Sequence, residues 1–254
     1  MKSTERFSNR VDNYVKYRPH YPVAIIPYLA AEAGLTQQSV VVDIGSGTGI
    51  SAEPFLDNGN VVYAVEPNKE MREAAEKLLQ RYPNFRSITG TAERTTLPSR
   101  SADLIVAGQA FHWFNQEAAG EEFRRIAKEN ACGVLMWNFR QMNTPFEQAY
   151  ENLLHQHGID YKDMKHRNVG PAQLGIFFAA GTFREKTFQN VQRFDFPALK
   201  GLLSSSSYMP DKTHSGYTAM VKDLEDIFEK YQENGMVLFR YETKLYTGLI
   251  AHTR

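Results

Sequence analysis

The sequence predicts an α/β protein built on a mostly parallel sheet with helices on both faces and an antiparallel C-terminal strand. Three observations carry this. Short apolar runs alternate with helix-period segments through residue 140. The runs lack polar alternation, as strands covered on both faces do. With 254 residues the chain is long enough to bury such a sheet in one large domain.

The elements follow in order. Ile25, Ile26, Leu29, Ala30 and Ala33 recur at helical spacing, and Gly34 is placed to end that helix. Val40–Ile44 and Val61–Val65 read as buried strands. Met71, Ala74, Ala75, Leu78, Leu79 and Tyr82 share one helix face, with Glu73 and Lys77 as an i,i+4 pair on another. Residues 85–88 form a weaker edge strand; 104–107 and 134–137 complete the parallel set. Thr144-Pro145-Phe146-Glu147 spells a capping box with proline in the first turn, opening a helix that Gly158 stops. Residues 159–215 are irregular in pattern and rich in aromatics. A helix from Tyr217 to Tyr231 follows, closed by Gly235. Alternation from Val237 to Leu245 then reads as a half-buried antiparallel strand near a sheet edge. Residues 1–254 are expected to form a single domain, with 1–35 and 140–215 covering the C-terminal edge of the sheet.

Composition narrows the function. Lys plus Arg and Asp plus Glu are equal at 29 each, a balance that argues against non-specific nucleic-acid binding. The single cysteine, Cys132, excludes a disulfide framework and a Cys-rich zinc site, and suits a reducing cytoplasm. His155 and His157 lie two apart on a helix and do not share a face, so no metal is expected. Met1–Arg10 is polar with no apolar stretch behind it, and no run approaches a membrane span, so the protein is expected to be soluble with no membrane partner.

The sharpest signal is Val41-Val42-Asp43-Ile44-Gly45-Ser46-Gly47-Thr48-Gly49: a strand, a glycine loop, then a helix. Glycine admits positive φ and brings a ligand against bare backbone, and the carboxyl end of the first strand is where open α/β sheets bind ligands. Glu66 closes the next strand, where a carboxylate can accept both hydroxyls of a ribose. The dinucleotide fingerprint places its third glycine three residues after the second; here that residue is Ile50, and the third glycine comes early, at Gly49. The spacing fits an S-adenosylmethionine loop better than a pyrophosphate loop.

Asp43–Gly49 resembles motif I of the class I S-adenosylmethionine-dependent methyltransferases. Further segments agree in order: Ala64-Val65-Glu66-Pro67, Gly90-Thr91-Ala92-Glu93 with Leu97-Pro98, and Ala102-Asp103-Leu104-Ile105. Gln109-Ala110-Phe111-His112-Trp113-Phe114 and Tyr17-Arg18-Pro19-His20-Tyr21-Pro22 resemble the small-molecule branch that includes trans-aconitate and ubiquinone-biosynthesis methyltransferases. The resemblance covers residues 5–140 well and the rest loosely. It implies a Rossmann-like, seven-stranded fold, S-adenosyl-L-methionine as cofactor and a small-molecule methyl acceptor. It further implies that Gly45, Ser46, Gly47 and Gly49 line the cofactor through backbone. Asp43 would face its amino end, and Glu66 would hold the ribose, with Pro67 and Met71 beside the adenine. Ala92 and Glu93 would contact the adenine edge, and Gln109 would neighbour the sulfonium. Arg18 would pair with the cofactor carboxylate. Many relatives carry Asp or Asn where this chain has Thr91, so an adenine-amine contact there falls to backbone or to Glu93.

His112 follows a strand end between two aromatic residues. It reads either as a general base or as a packed, satisfied histidine. Trp113, Tyr21 and Tyr208 are candidate substrate-wall residues. Ser204–Ser207 reads as a source of pocket hydroxyls or as a plain loop. Lys162, Lys165, His166 and Arg167 read as solvated surface beside Asp160 and Asp163, or as an attraction for an anion. Two other functions stay open: a nucleotide-dependent oxidoreductase on a similar sheet, and an S-adenosylmethionine-binding protein without catalysis.

Overall fold

The computed structural model describes residues 16–159, 161, 170–179 and 182–250. The polar N-terminus and the basic group Lys162, Lys165, His166 and Arg167 lie outside these residues. Seven strands form one sheet in the order β3-β2-β1-β4-β5-β7-β6. They are β1 (Val40–Ile44), β2 (Val61–Val65), β3 (Phe85–Ile88), β4 (Ala102–Gly108), β5 (Ala127–Arg140), β6 (Arg184–Phe194) and β7 (Val237–Leu249). The first five pair in parallel, while β7 runs antiparallel between β5 and β6.

The buried strands explain their own hydropathy. Along β4, Leu104 and Val106 pack on one face with Ile25, Leu29 and Phe55, whereas Ile105 and Ala107 pack on the other with Phe111 and Phe123. Along β5, Val134 and Met136 take the first face, Leu135 and Trp137 the second. Successive side chains alternate between faces, both faces are covered, and the sequence therefore reads as apolar without a break.

Helices α1 (Ile25–Ala33), α2 (Glu53–Asp57), α3 (Lys69–Leu79) and α4 (Gln116–Ile126) connect and cover the parallel strands. Gly34 ends α1 in the left-handed region, at φ 64°. The Asn68 side chain accepts the Met71 amide at 2.9 Å and so starts α3 beside the end of β2. On α3, Glu73 pairs with Lys69 at 3.6 Å rather than with Lys77. α5 (Pro145–His157) begins with the expected capping box: the Thr144 amide donates to Glu147 Oε2 at 3.0 Å, and the Glu147 amide donates to Thr144 Oγ1 at 3.3 Å.

The second half of the chain departs from the sequence reading. Residues 159–215 contain α6 (Pro171–Phe177), the eleven-residue β6 and α7 (Phe196–Ser204). β6 is the edge strand beyond β7, so the C-terminal strand lies near the edge as expected, one strand in from it. Apart from Val191 the exposed positions of β6 are polar, and few of its side chains reach a core, so it carries little strand pattern. The stretch 140–215 thus contributes a strand to the sheet itself. α8 (Tyr217–Tyr231) ends at Gln232, before Gly235; that glycine lies at φ 75° in the turn into β7. A third apolar cluster joins α5, α7, α8 and the first half of β7 through Tyr150, Leu199, Leu224 and Phe239.

Candidate active site

A cleft of about 410 Å³ opens at the carboxyl ends of the parallel strands. The glycine loop forms one wall. Its conformation is set by residues without side chains: Gly45, Gly47 and Gly49 all have positive φ, at 66°, 55° and 87°. A Cβ on Gly45 would meet Ala110 Cβ at 2.8 Å, whereas one on Gly47 would meet nothing within 4 Å. The Gly45 and Ser46 amides donate to Val65 O at 2.9 and 3.2 Å, tying the loop to the end of β2. Gly49 has a packing reason of its own, because a Cβ there would meet Leu79 Cδ1 of α3 at 2.4 Å.

Two carboxylates stand behind the loop. Asp43 is fully buried; its Oδ2 accepts the Ser51 hydroxyl at 2.7 Å, and its Oδ1 has no hydrogen-bond partner. Burial pushes its carboxyl up from 3.8 to about 7, with the Ser51 bond opposing and nearby Glu66 adding to the rise. Glu66 accepts the Gly47 amide at 2.9 Å and the Asn68 amide at 2.8 Å. Burial raises its carboxyl as well, against those two backbone bonds.

A strap, residues 17–22, borders the cleft, with Arg18, Pro19 and Tyr21 in its lining. Asn138 Nδ2 donates to Pro19 O at 3.2 Å, and Asn190 Nδ2 donates to His20 O at 2.7 Å. Arg18 reaches Ser205 O at 3.4 Å. The Tyr17 ring fills the notch left by Gly201, where a Cβ would stand 1.9 Å from it.

The cleft collects residues far apart in sequence. Arg18, Tyr21, Gly45, Ser46 and Gly47 line it, as do Gln109, His112, Trp113 and Tyr208. Gln109 adopts φ 57° at the end of β4 and donates from its side chain to Asn138 O at 3.2 Å. His112 and Trp113 share one 3₁₀ turn with ring centroids 4.9 Å apart; Trp113 is 40% exposed. Of the serine run, Ser206 and Ser207 line the cleft. The remaining nominated residues, Asp43, Gly49, Glu66, Pro67, Met71, Ala92 and Glu93, lie outside its lining. Met71 and Ala92 are buried, Pro67 is exposed, and Glu93 accepts the Asn115 amide at 2.9 Å. His155 faces Glu151 at 3.4 Å and His157 faces Asp223 at 2.7 Å, two separate pairs. Among the described residues no group of three His, Cys, Asp or Glu is placed to hold a metal ion, and no helix is long and apolar enough to cross a membrane.

Sequence reasoning missed Arg140, Asn138, Tyr161 and Tyr241 as cleft residues, and placed Tyr150 only in the core. One signal was present: Arg140 and Asn138 end a strand at the carboxyl edge, where such sheets bind ligands.

Residues 42–135 match the model of a methyltransferase domain family. An uncharacterized methyltransferase of Schizosaccharomyces pombe is 25% identical over 246 residues, covering 95% of this chain and 96% of its own. A Dictyostelium discoideum protein named as a methyltransferase is 29% identical over 226 residues, covering 87% of this chain and 81% of its own. Among solved structures, one described as a type II methyltransferase of Anaeromyxobacter dehalogenans shares the fold with a TM-score of 0.68 at 20% identity, covering 92% of this chain and 98% of its own. In its 42–135 segment and its fold the chain is similar to the class I S-adenosylmethionine-dependent methyltransferases.

Proposed function

We propose that this enzyme transfers a methyl group to a small molecule bound in the cleft between the glycine loop, the 17–22 strap and the cover formed by α5, α7 and α8. The observation that carries this reading is the pairing of an open glycine cradle with two buried carboxylates, one of them with an oxygen left without a partner. A cofactor with a cationic amino end and a ribose fits that donor set. Asp43 and the Gly45–Gly47 backbone would hold its amino-acid part, with Arg18 against the carboxylate. Glu66 would take the ribose; Pro67, Met71, Ala92 and Glu93 would border the adenine, and Gln109 the sulfur side. Gly49 serves the same site by letting α3 pack close behind the loop.

When bound, S-adenosylmethionine supplies an activated methyl group: the acceptor's lone pair forms the new bond as the sulfur–carbon bond breaks and its electron pair returns to sulfur. The chain's own residues then have to align the two reactants, which can lower a barrier by about 7–11 kcal/mol. The strap and Trp113 exclude water, strengthening the fixed dipoles around the site. Where the acceptor atom carries a proton, His112 would take it. A reducing cytoplasm suits the single buried thiol, Cys132.

Calorimetry with S-adenosylhomocysteine and, separately, with NAD tests the cofactor reading. Heat with the first and none with the second is expected; the reverse overturns it. Labelled methyl transfer to a panel of small acceptors tests catalysis.

A further inference from the structure

The acceptor side of the cleft is built around a buried cation. Arg140 is the last residue of β5; β4 separates β5 from β1, which sets Arg140 roughly 10 Å across the sheet from the glycine loop, and the register puts it four residues, roughly 13 Å, beyond the loop along the strands. Tyr150, Tyr161, Tyr208 and Tyr241 line the cleft with it. Its guanidinium lies 4.8 Å from the Tyr150 ring centroid and 5.5 Å from that of Phe239. One nitrogen, Nη2, donates to Glu151 Oε2 at 2.5 Å, and Glu151 Oε1 accepts the Tyr161 hydroxyl at 2.6 Å. The Nε of Arg140 is buried and has no hydrogen-bond partner.

This is an expensive arrangement for a wall that had only to be filled. Apolar residues of similar volume serve a core at least as well as a buried ion pair, and a buried donor left unpaired adds to the cost. The charges are one-sided as well. Arg18 and Arg140 line the cleft, while among the described residues no Asp or Glu does. Glu151, behind Arg140, offsets one of the two positive charges. The phenols add donors: burial holds Tyr150, Tyr161 and Tyr241 above their ordinary value, Tyr241 at about 12, so they keep their O–H protons at neutral pH.

We infer that the methyl acceptor is a small organic acid, and that its carboxylate docks on Arg140 beside the tyrosine hydroxyls and Ser206–Ser207. This rests on the cofactor reading above and deepens it. A guanidinium edge matches carboxylate geometry. A phosphate dianion is usually met by a helix N-terminus, a nest of amides or several cations; here Arg140 is already shared with Glu151, and the second cleft cation, Arg18, donates to Ser205 O at 3.4 Å. The docked carboxylate is an anchor that sets the acceptor's orientation.

The test uses the full chain with labelled S-adenosylmethionine and matched sets of small organic acids, their primary amides and the corresponding phosphate monoesters. Transfer is expected to acids and not to amides. Arg140→Lys, which keeps the charge and loses the fork, should raise the acid's KM about tenfold or more, a larger effect than on kcat. Glu151→Gln removes the competing carboxylate and should lower KM several-fold, the opposite sign, which a purely structural role for the pair does not produce. S-Adenosylhomocysteine affinity should stay within about twofold in both variants, because neither residue is placed on the cofactor. Equal transfer to amides, preference for phosphate monoesters, an unmoved acid KM in both variants, or no methylated acid while S-adenosylhomocysteine still binds overturns the inference. Failure of wild-type protein to bind S-adenosylhomocysteine is a separate result that removes the cofactor reading and this one together.

Discussion

The Glu66 carboxylate accepts the Gly47 amide at 2.9 Å through one oxygen and the Asn68 amide at 2.8 Å through the other. One side chain at the end of β2 thus fixes the glycine loop after β1 and the first turn of α3. A carboxylate that reads in sequence as a ribose ligand is also a clamp on the loop.

Glu66→Gln should therefore weaken the cofactor and loosen the loop together. The amide side chain turns one acceptor into a donor facing a backbone N–H. A hydrogen bond to a charged group is worth about 1.5–3 kcal/mol, so the dissociation constant for S-adenosylhomocysteine should rise roughly tenfold to a hundredfold. Calorimetry showing wild-type affinity in this variant would remove Glu66 from the cofactor site.

Asp43 predicts a pH dependence with a definite sign. Its carboxyl is raised in the folded chain, from 3.8 to about 7. Between those values the folded state holds a proton that the unfolded state has released. Its contribution to stability is complete below the lower value and is lost as pH rises towards the upper one. Asp43→Asn should flatten that fall in urea unfolding followed through this range. A cofactor amine beside the carboxylate favours its charged form, so binding at about pH 6 should release a proton, read as a buffer-dependent heat in calorimetry. Absence of that heat argues against the Asp43–amine contact.

Gly49 and Gly47 should respond differently to alanine. At Gly49 the added carbon meets Leu79 at 2.4 Å and the residue sits at φ 87°; at Gly47 only the positive φ opposes it. Gly49→Ala should cost about 1–3 kcal/mol or more, and Gly47→Ala about 1 kcal/mol. Thermal melting of the two variants compares them directly, and equal midpoints contradict the packing account of Gly49.

His112→Gln should slow methyl transfer by roughly a hundredfold or more if the imidazole takes the acceptor's proton. Cofactor affinity and melting temperature should stay close to wild type. A variant that turns over normally rules out the base. One that melts early with normal turnover per folded molecule assigns His112 to packing against Trp113.

The parallel half of this fold is local in origin. Strands 40–44 and 61–65, the Gly34 stop and the Thr144–Glu147 box are written in spacings of a few residues, and so they are readable from the chain alone. The same holds for the glycine loop and Glu66, each placed at a strand end by its own neighbours. β6 could not be read in this way. At a sheet edge only alternate residues touch the core, and in 184–194 even those are mostly polar.

The Arg140 side of the cleft is nonlocal throughout. Arg140 ends β5, Glu151 and Tyr150 stand on α5, Tyr208 follows α7, and Tyr241 lies on β7. Their meeting depends on β7 inserting between β5 and β6, and on α5, α7 and α8 closing over that end of the sheet. The sequence by itself determined the parallel strands and the glycine loop, because backbone geometry and side-chain periodicity are encoded over short distances. Only the tertiary structure decided that an arginine and four tyrosines share one cleft. Burial and strand order, which bring distant segments together, have no signature in the spacing of residues along the chain.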